Sequence, residues 1–239
     1  MLNINRRSFT LGMAALAAGS LLPGLVSAQT MAALKKKGSI TIGMLVDFPP
    51  YGILNNSNQP DGYDADVSKL LAKDWGVKAN LVPVTGPNRI PYLLTGKVDM
   101  LIASLAITPE RAKQVLFSKP YSAASIVLYG VAKTNMKTPA DLKGLRVGVA
   151  RASTQDTAVT KVAPEGTQIR RFDDDASAMQ ALLSGQVDAI GCSVTVAAQI
   201  AKRAPAGQFD TKFQLLQQDM AVALRPGEDE MVKAINDFI

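Results

Sequence analysis

Short apolar runs and amphipathic stretches alternate along the chain from Ser39 onward, each long enough for one strand or one helix. Ser39–Leu45 reads as a buried strand. Gly62 opens a segment with Val67, Leu70, Leu71 and Trp75 at helical spacing. Ala79–Val84 reads as a strand, Ile90–Leu94 as a short helix and Asp99–Ser104 as a strand. Thr108-Pro109-Glu110-Arg111 follows, with an N-capping Thr, Pro at the first helical position and an acid in the first turn. Ile126–Val131 is an apolar strand. The pattern then restarts: a capped turn at Thr138-Pro139-Ala140-Asp141, strands at Arg146–Ala150, Gln168–Phe172 and Asp188–Ser193, and helices at Ser153–Val162, Ala176–Leu183 and Val194–Lys202. Met231, Ile235 and Phe238 mark a last amphipathic helix. Strands alternating with helices of this length predict an α/β fold with parallel sheets covered on both faces.

One segment recurs. Leu93-Leu94-Thr95-Gly96-Lys97-Val98-Asp99, with Ser104 five residues on, matches Leu182-Leu183-Ser184-Gly185-Gln186-Val187-Asp188, with Ser193 five residues on. A helix end, a Gly cap, a Val-Asp strand entry and a terminal Ser thus repeat 89 positions apart. The repeat predicts two similar α/β lobes. Ligands bind at the carboxyl ends of parallel strands, so Ser104 and Ser193 are expected to face one cleft from opposite lobes.

The beginning of the sequence changes the compartment. Arg6 and Arg7 precede the uncharged run Ser8 to Leu25, and Val26-Ser27-Ala28 supplies small residues at a cleavage site. This predicts a secretory signal over residues 1–28; Gly12, Gly19 and Pro23 make the run a poor membrane span. The paired arginines resemble a twin-arginine export signal. The net charge of +6 is scattered, and its only run, Lys35-Lys36-Lys37, reads as a solvated turn rather than a nucleic-acid surface. With no histidine and Cys192 as the only cysteine, neither an intramolecular disulfide nor a soft-metal site is expected, and no cofactor is implied.

Arg111 is the first candidate for binding chemistry. At the third helical position after the Thr108 cap, its guanidinium can grip a carboxylate through two parallel hydrogen bonds. Ser153, Thr154 and Gln155 open a helix in the second half, where hydroxyls and backbone donors reach the same anion or simply cap the helix. Arg89 either points inward as a second cation or caps its own short helix.

Several motifs together resemble a known family. Phe48-Pro49-Pro50-Tyr51-Gly52, Gly62-Tyr63-Asp64-Ala65-Asp66, Gly96-Lys97-Val98-Asp99, Ile107-Thr108-Pro109-Glu110-Arg111, Phe117-Ser118-Lys119-Pro120-Tyr121, Asp141-Leu142-Lys143-Gly144 and Gly185-Gln186-Val187-Asp188-Ala189 run in the order seen in bacterial extracellular solute-binding proteins of the polar amino-acid type. The resemblance implies a two-lobed clamshell (type II) with two crossover strands, lobe 1 being residues 38–132 plus 219–239 and lobe 2 residues 133–218. It implies a periplasmic monomer that closes on a small carboxylated ligand and docks on an ABC permease. Arg111 would hold the ligand's α-carboxylate, and Phe48 and Tyr51 would cover it. Ser104, Ala106, Ser153, Thr154, Gln155 and Ser193 would complete the cleft. The segment Asn88-Arg89-Ile90-Pro91 resembles one that serves a side-chain carboxylate in acidic amino-acid binders, so an inward Arg89 would favour an acidic ligand.

Two departures stand out. Ala106 occupies a position that usually holds Ser or Thr, and Ser193 one that usually holds the Asp paired with the ligand's ammonium group. A periplasmic dehydratase or lyase on the same fold is an alternative, although Ser104 and Ser193 have no base beside them in sequence. The ligand-binding domain of a receptor is another. Members of the family continue past a helix such as the last one here, so the resemblance also implies a shortened chain.

Overall fold

The computed structural model describes residues 30–239. The secretory signal expected over residues 1–28 lies outside the described residues. Thr30 caps α1 (Met31–Lys37) by accepting from the Ala33 N–H at 3.2 Å, and Gly38 ends it with a φ of 70° that suits glycine. The three lysines form its exposed last turn, where cations offset the helix dipole.

The first half continues through β1 (Ser39–Met44), a small hairpin of β2 (Ile53–Leu54) and β3 (Pro60–Asp61), and α2 (Tyr63–Asp74). Then come β4 (Lys78–Pro83), α3 (Arg89–Leu94), β5 (Met100–Leu101), the one-turn α4 (Pro109–Ala112) and the 16-residue β6 (Leu116–Val131). The second half has a 3-10 turn (Pro139–Leu142), β7 (Arg146–Ala150), α5 (Thr154–Val162), β8 (Gln168–Phe172), α6 (Asp175–Leu183), β9 (Ala189–Ser193) and α7 (Val194–Arg203). A second 16-residue strand, β10 (Phe209–Leu224), and α8 (Asp229–Phe238) follow.

The strands pair in the order β4-β1-β5-β10-β6-β9-β7-β8. β4, β1 and β5 are parallel, as are β8, β7 and β9. β10 borders the first trio and β6 the second, both antiparallel, so the same arrangement is met from either edge. The long strands pair with each other from Leu116↔Leu224 to Val131↔Phe209. Each lobe takes one end of that ribbon, which makes the molecule a two-lobed α/β clamshell joined by two crossover strands.

The sequence repeat has a physical cause. Asp99 Oδ2 accepts the Thr41 N–H of β1 at 2.8 Å, and Asp188 Oδ2 accepts the Arg146 N–H of β7 at 2.9 Å. Gly96 (φ 73°) and Gly185 (φ 72°) make the same left-handed turn before these strand entries. Each carboxylate therefore locks the strand leading out of a helix to the central strand of its lobe.

In the first lobe Ile40, Ile42, Met100, Ile102, Val222 and Leu224 pack against Leu71, Trp75, Met231 and Ile235. In the second, Val147, Val149 and Ala189 pack with Leu128, Leu142 and Val159. Leu70, expected on the buried face of α2, is 58% exposed. That face instead follows Asp64, Ala65, Ser68, Leu71 and Ala72: Ser68 Oγ is satisfied by the Asp64 backbone carbonyl, and the Asp64 carboxylate by the Ser104 and Tyr121 hydroxyls. The expected strand Ile126–Val131 is only the second-lobe end of β6.

Candidate ligand cleft

A small cavity of about 30 Å³ lies between the lobes, well under the roughly 300–1,000 Å³ of small-molecule pockets, so the lobes stand nearly closed on one another. The first lobe lines it with residues that follow β1 and β5 and with the start of α3. The second lobe contributes the residues after β7 and β8, where α5 and α6 begin, and β10 adds Gln218. These are carboxyl ends of parallel strands, as the repeat predicted.

Arg111 reaches across the cleft. Its Nη1 donates to the Ala106 carbonyl at 2.9 Å and its Nη2 to the Ala152 carbonyl of the other lobe at 3.0 Å. Burial pushes its pKa down to about 10, so it stays a cation at neutral pH. Thr108 Oγ1 accepts the Arg111 N–H as expected of a cap, but α4 is a single turn, and the guanidinium rather than a helix dipole carries the charge. Ala106 takes part through its carbonyl, which needs no side chain.

Arg89 points inward. It is 5% exposed, lines the cavity and donates Nη1 to the Ala103 carbonyl at 3.0 Å. Burial and the neighbouring Arg111 bring its pKa down to about 9. Two carboxylates stand near it. Asp47 Oδ2 accepts the Asp175 N–H at 3.0 Å across the lobes, and Asp175 Oδ1 accepts from Gln155 Nε2 at 2.9 Å. Burial and then Asp47 push the Asp175 carboxyl up to about 7; burial likewise raises Asp47.

Ser104 sits at φ 46°, a left-handed conformation uncommon for a residue with a Cβ. It is held there from two sides: Oγ donates to Asp64 Oδ2 at 2.8 Å, and the N–H donates to the Tyr121 hydroxyl at 3.1 Å. Tyr121 in turn donates to Asp64 Oδ1 at 2.8 Å. Burial lifts the Asp64 carboxyl to about 6. A carboxylate thus stands beside Ser104, contrary to the expectation from sequence.

In the second lobe Ser153 Oγ accepts the Asp156 N–H and donates to the Ala150 carbonyl, so its hydroxyl is an N-cap, although the residue lines the cavity. Thr154 Oγ1 is hydrogen-bonded to Gln218 Oε1 of the crossover strand β10. Gly86 marks another close approach: a Cβ there would lie 2.6 Å from the Arg151 carbonyl oxygen.

Two expected residues lie elsewhere. Phe48 lines the cavity, but Tyr51 does not; it stacks on Phe48 at 5.6 Å and donates its hydroxyl to the Ala123 carbonyl of β6. Ser193 is 0% exposed, and its Oγ accepts the Val196 N–H and pairs with Thr195, which makes it the cap of α7. Asp175 is the main residue that sequence reasoning missed. The run Asp173-Asp174-Asp175 directly follows a predicted strand, and the strand-end rule that singled out Ser153 applied there equally.

A two-lobed clamshell with a charged cavity between its lobes is an architecture of proteins that bind small solutes. The chain matches the bacterial extracellular solute-binding proteins, family 3, over residues 40–239, and it belongs to that family. It is 29% identical over 228 residues to the L-cystine-binding protein TcyJ of Escherichia coli K12, covering 94% of this chain and 85% of that protein. It is 32% identical over 212 residues to the ABC transporter glutamine-binding protein GlnH of Bacillus subtilis, covering 87% and 77%. Among solved structures, the solute receptor for L-cysteine of Neisseria gonorrhoeae superposes with a TM-score of 0.81 at 29% identity, covering 87% of this chain and 86% of the other. No helix among the described residues is long and apolar enough to cross a membrane.

Proposed function

We propose that this chain is the solute-binding component of an ABC uptake system for an amino acid, exported to the periplasm through residues 1–28 and acting as a monomer. Lobe 1 is residues 38–132 plus 219–239, and lobe 2 is residues 133–218. The observation that carries this reading is Arg111, a cation fixed in the cavity by one carbonyl from each lobe. A ligand carboxylate bound there replaces a dipole with a full negative charge and draws both lobes onto one group. The relatives' names, for binders of cystine, glutamine and cysteine, support an amino acid.

The inward Arg89 does not add up to an acidic ligand, because Asp47 and Asp175 offset its charge. Three arginines against four carboxylates line the cavity, which suits a zwitterion with a neutral side chain better than a dianion.

A thermal-shift screen of the twenty standard L-amino acids and L-cystine tests the reading. A ligand that binds only the folded protein raises its apparent stability by about 2.7 kcal/mol at 100 times Kd. At least one neutral amino acid is expected to raise Tm with concentration. Arg111→Ala is expected to weaken its binding by about 10- to 100-fold, the value of a hydrogen-bonded charge. Absence of any shift across the panel overturns the proposal.

Turnover is the second reading, favoured by Asp175, whose carboxyl at about 7 is matched to general-base work near neutral pH. An NMR time course of the bound amino acid separates the two: a binding protein leaves it unchanged over hours.

A further inference from the structure

Among the described residues, Asp47, Asp173, Asp174 and Asp175 line the cleft against Arg89, Arg111 and Arg151. Asp47 and Asp175 meet across the lobes. Arg89 lies within electrostatic reach of both and supplies one countercharge. Arg111 bonds to two carbonyls, and among the described residues its one negative neighbour with an effect is the solvent-exposed Glu110. Acidic residues thus outnumber arginines around the cavity, and Asp175 shares the Arg89 charge with Asp47 and Asp64.

The polar groups facing this cavity also have capacity to spare. Asp175 is 7% exposed, and among the described residues its carboxylate accepts one hydrogen bond, from Gln155 to Oδ1. Arg89 is 5% exposed and donates one hydrogen bond, to Ala103. Both side chains line the cavity. Ser193, by contrast, is sealed off and engaged in capping α7. A desolvated ammonium without a charged partner is costly, so the amino group needs an anion other than the one missing at that strand end.

We infer that Asp175, held by Gln155 and backed by Asp47, is the anchor for the ligand's ammonium group in this chain. The inference rests on the amino-acid reading above. It moves the ammonium site from the end of β9 to the first residue of α6, and it makes Asp175 the residue that separates amino acids from acids lacking an amino group.

Calorimetry on the secreted chain tests it, with each of the twenty standard L-amino acids and L-cystine set against the 2-hydroxy acid bearing the same side chain. The wild type is expected to prefer its amino acid by about 10- to 100-fold, the range for a charged hydrogen bond. Asp175→Asn is expected to lose most of that preference while keeping its affinity for the hydroxy acid, and Ser193→Ala is expected to leave the preference intact. A wild type that binds both alike, or an Asp175→Asn variant that keeps the preference, overturns the inference and leaves the carboxylate reading standing. A wild type that binds none of the probes overturns the amino-acid reading itself.

A readout on the wild type alone guards against a variant that fails to fold. The groups facing the Asp175 carboxyl are Asp174 on its own helix, Asp47 after β1, Arg89 of α3, Gln155 of α5 and Cys192 of β9. Burial raises the Asp47 carboxyl and brings Asp175 to about 7, so Asp175 is partly protonated at pH 6.5. An arriving ammonium favours the ionised pair, so titrations at pH 6.5 in two buffers of different ionisation enthalpy are expected to show proton release with the amino acid and none with the hydroxy acid. Equal proton exchange with both overturns the inference.

Discussion

Asp64 shows how one buried side chain can fix a neighbour that lines the cleft. Its two oxygens take the Ser104 and Tyr121 hydroxyls, and Tyr121 accepts the Ser104 N–H, which closes a three-membered ring of bonds beside the cleft. Removing the acceptor leaves two hydroxyl protons without a partner where water has poor access. Asp64→Ala is therefore expected to lower stability by about 2–4 kcal/mol, an unmade buried bond costing about 1–3 kcal/mol each. Tyr121→Phe, which removes one bond, is expected to cost less, and urea unfolding of both variants checks the order. None of this ring was legible in the sequence, because its members are 40 and 57 positions from Asp64. Arg111, Ser153 and Gln155 were singled out by helix starts and Phe48 by the family resemblance, and all four line the cavity; the direction of Arg89 stayed open in the sequence. Tyr51 and Ser193 were singled out as well and still turned away. Their hydroxyls found partners, Ala123 for one and the first turn of α7 for the other, that no short-range pattern reveals.

The repeated helix–Gly–strand junction belongs to the next scale. Its two aspartates do the same backbone work, but their surroundings differ. Asp99 also receives the exposed Lys37 ammonium, whereas Asp188 is gripped by the Arg146 Nε at 3.0 Å and Nη2 at 2.6 Å. A bidentate guanidinium pair is better fixed than a lysine pair on the surface. Asp188→Ala is accordingly expected to destabilise the protein by about 1–3 kcal/mol, and Asp99→Ala by less, as measured by urea midpoints. The elements that packing dictates, β1, β7, α5 and α6, follow their hydrophobic pattern closely. The crossover strands do not. β6 carries Lys119 and Ser122, and β10 carries Gln214, Gln217, Gln218 and Asp219, because these stretches run past the cleft and solvent rather than through a core. Periodicity reports burial, so a long strand that leaves one lobe and enters another is legible only at its ends.

At the scale of the whole molecule, a cleft that stores buried carboxylates sets how stability responds to pH. Asp64 titrates near 6 and Asp175 near 7, both above the ordinary 3.8, and Asp47 is shifted the same way. Burial is the first cause in each case, because it penalises the charged form. Between about pH 4 and 7 the folded protein therefore holds more protons than the unfolded chain, and the linkage slope is negative. The stability from these groups is fully present below the unfolded pKa and is lost as pH rises through 6 and 7. Asp188 acts in the opposite sense: its hydrogen bonds from Arg146 depress its pKa, so its contribution is lost only as pH falls below the ordinary carboxylate range. The urea midpoint of the unliganded protein, followed from pH 4.5 to 7.5 at constant ionic strength, is expected to fall. Asp175→Asn, which has no proton to hold, is expected to flatten that slope. A saturating amino acid is expected to flatten it too, because its ammonium group stabilises the ionised form where burial alone opposes it. A midpoint that climbs steadily over this range would mean that the carboxylates of the cleft are ionised without cost, and that the lobes need no bound cation to stay closed over them.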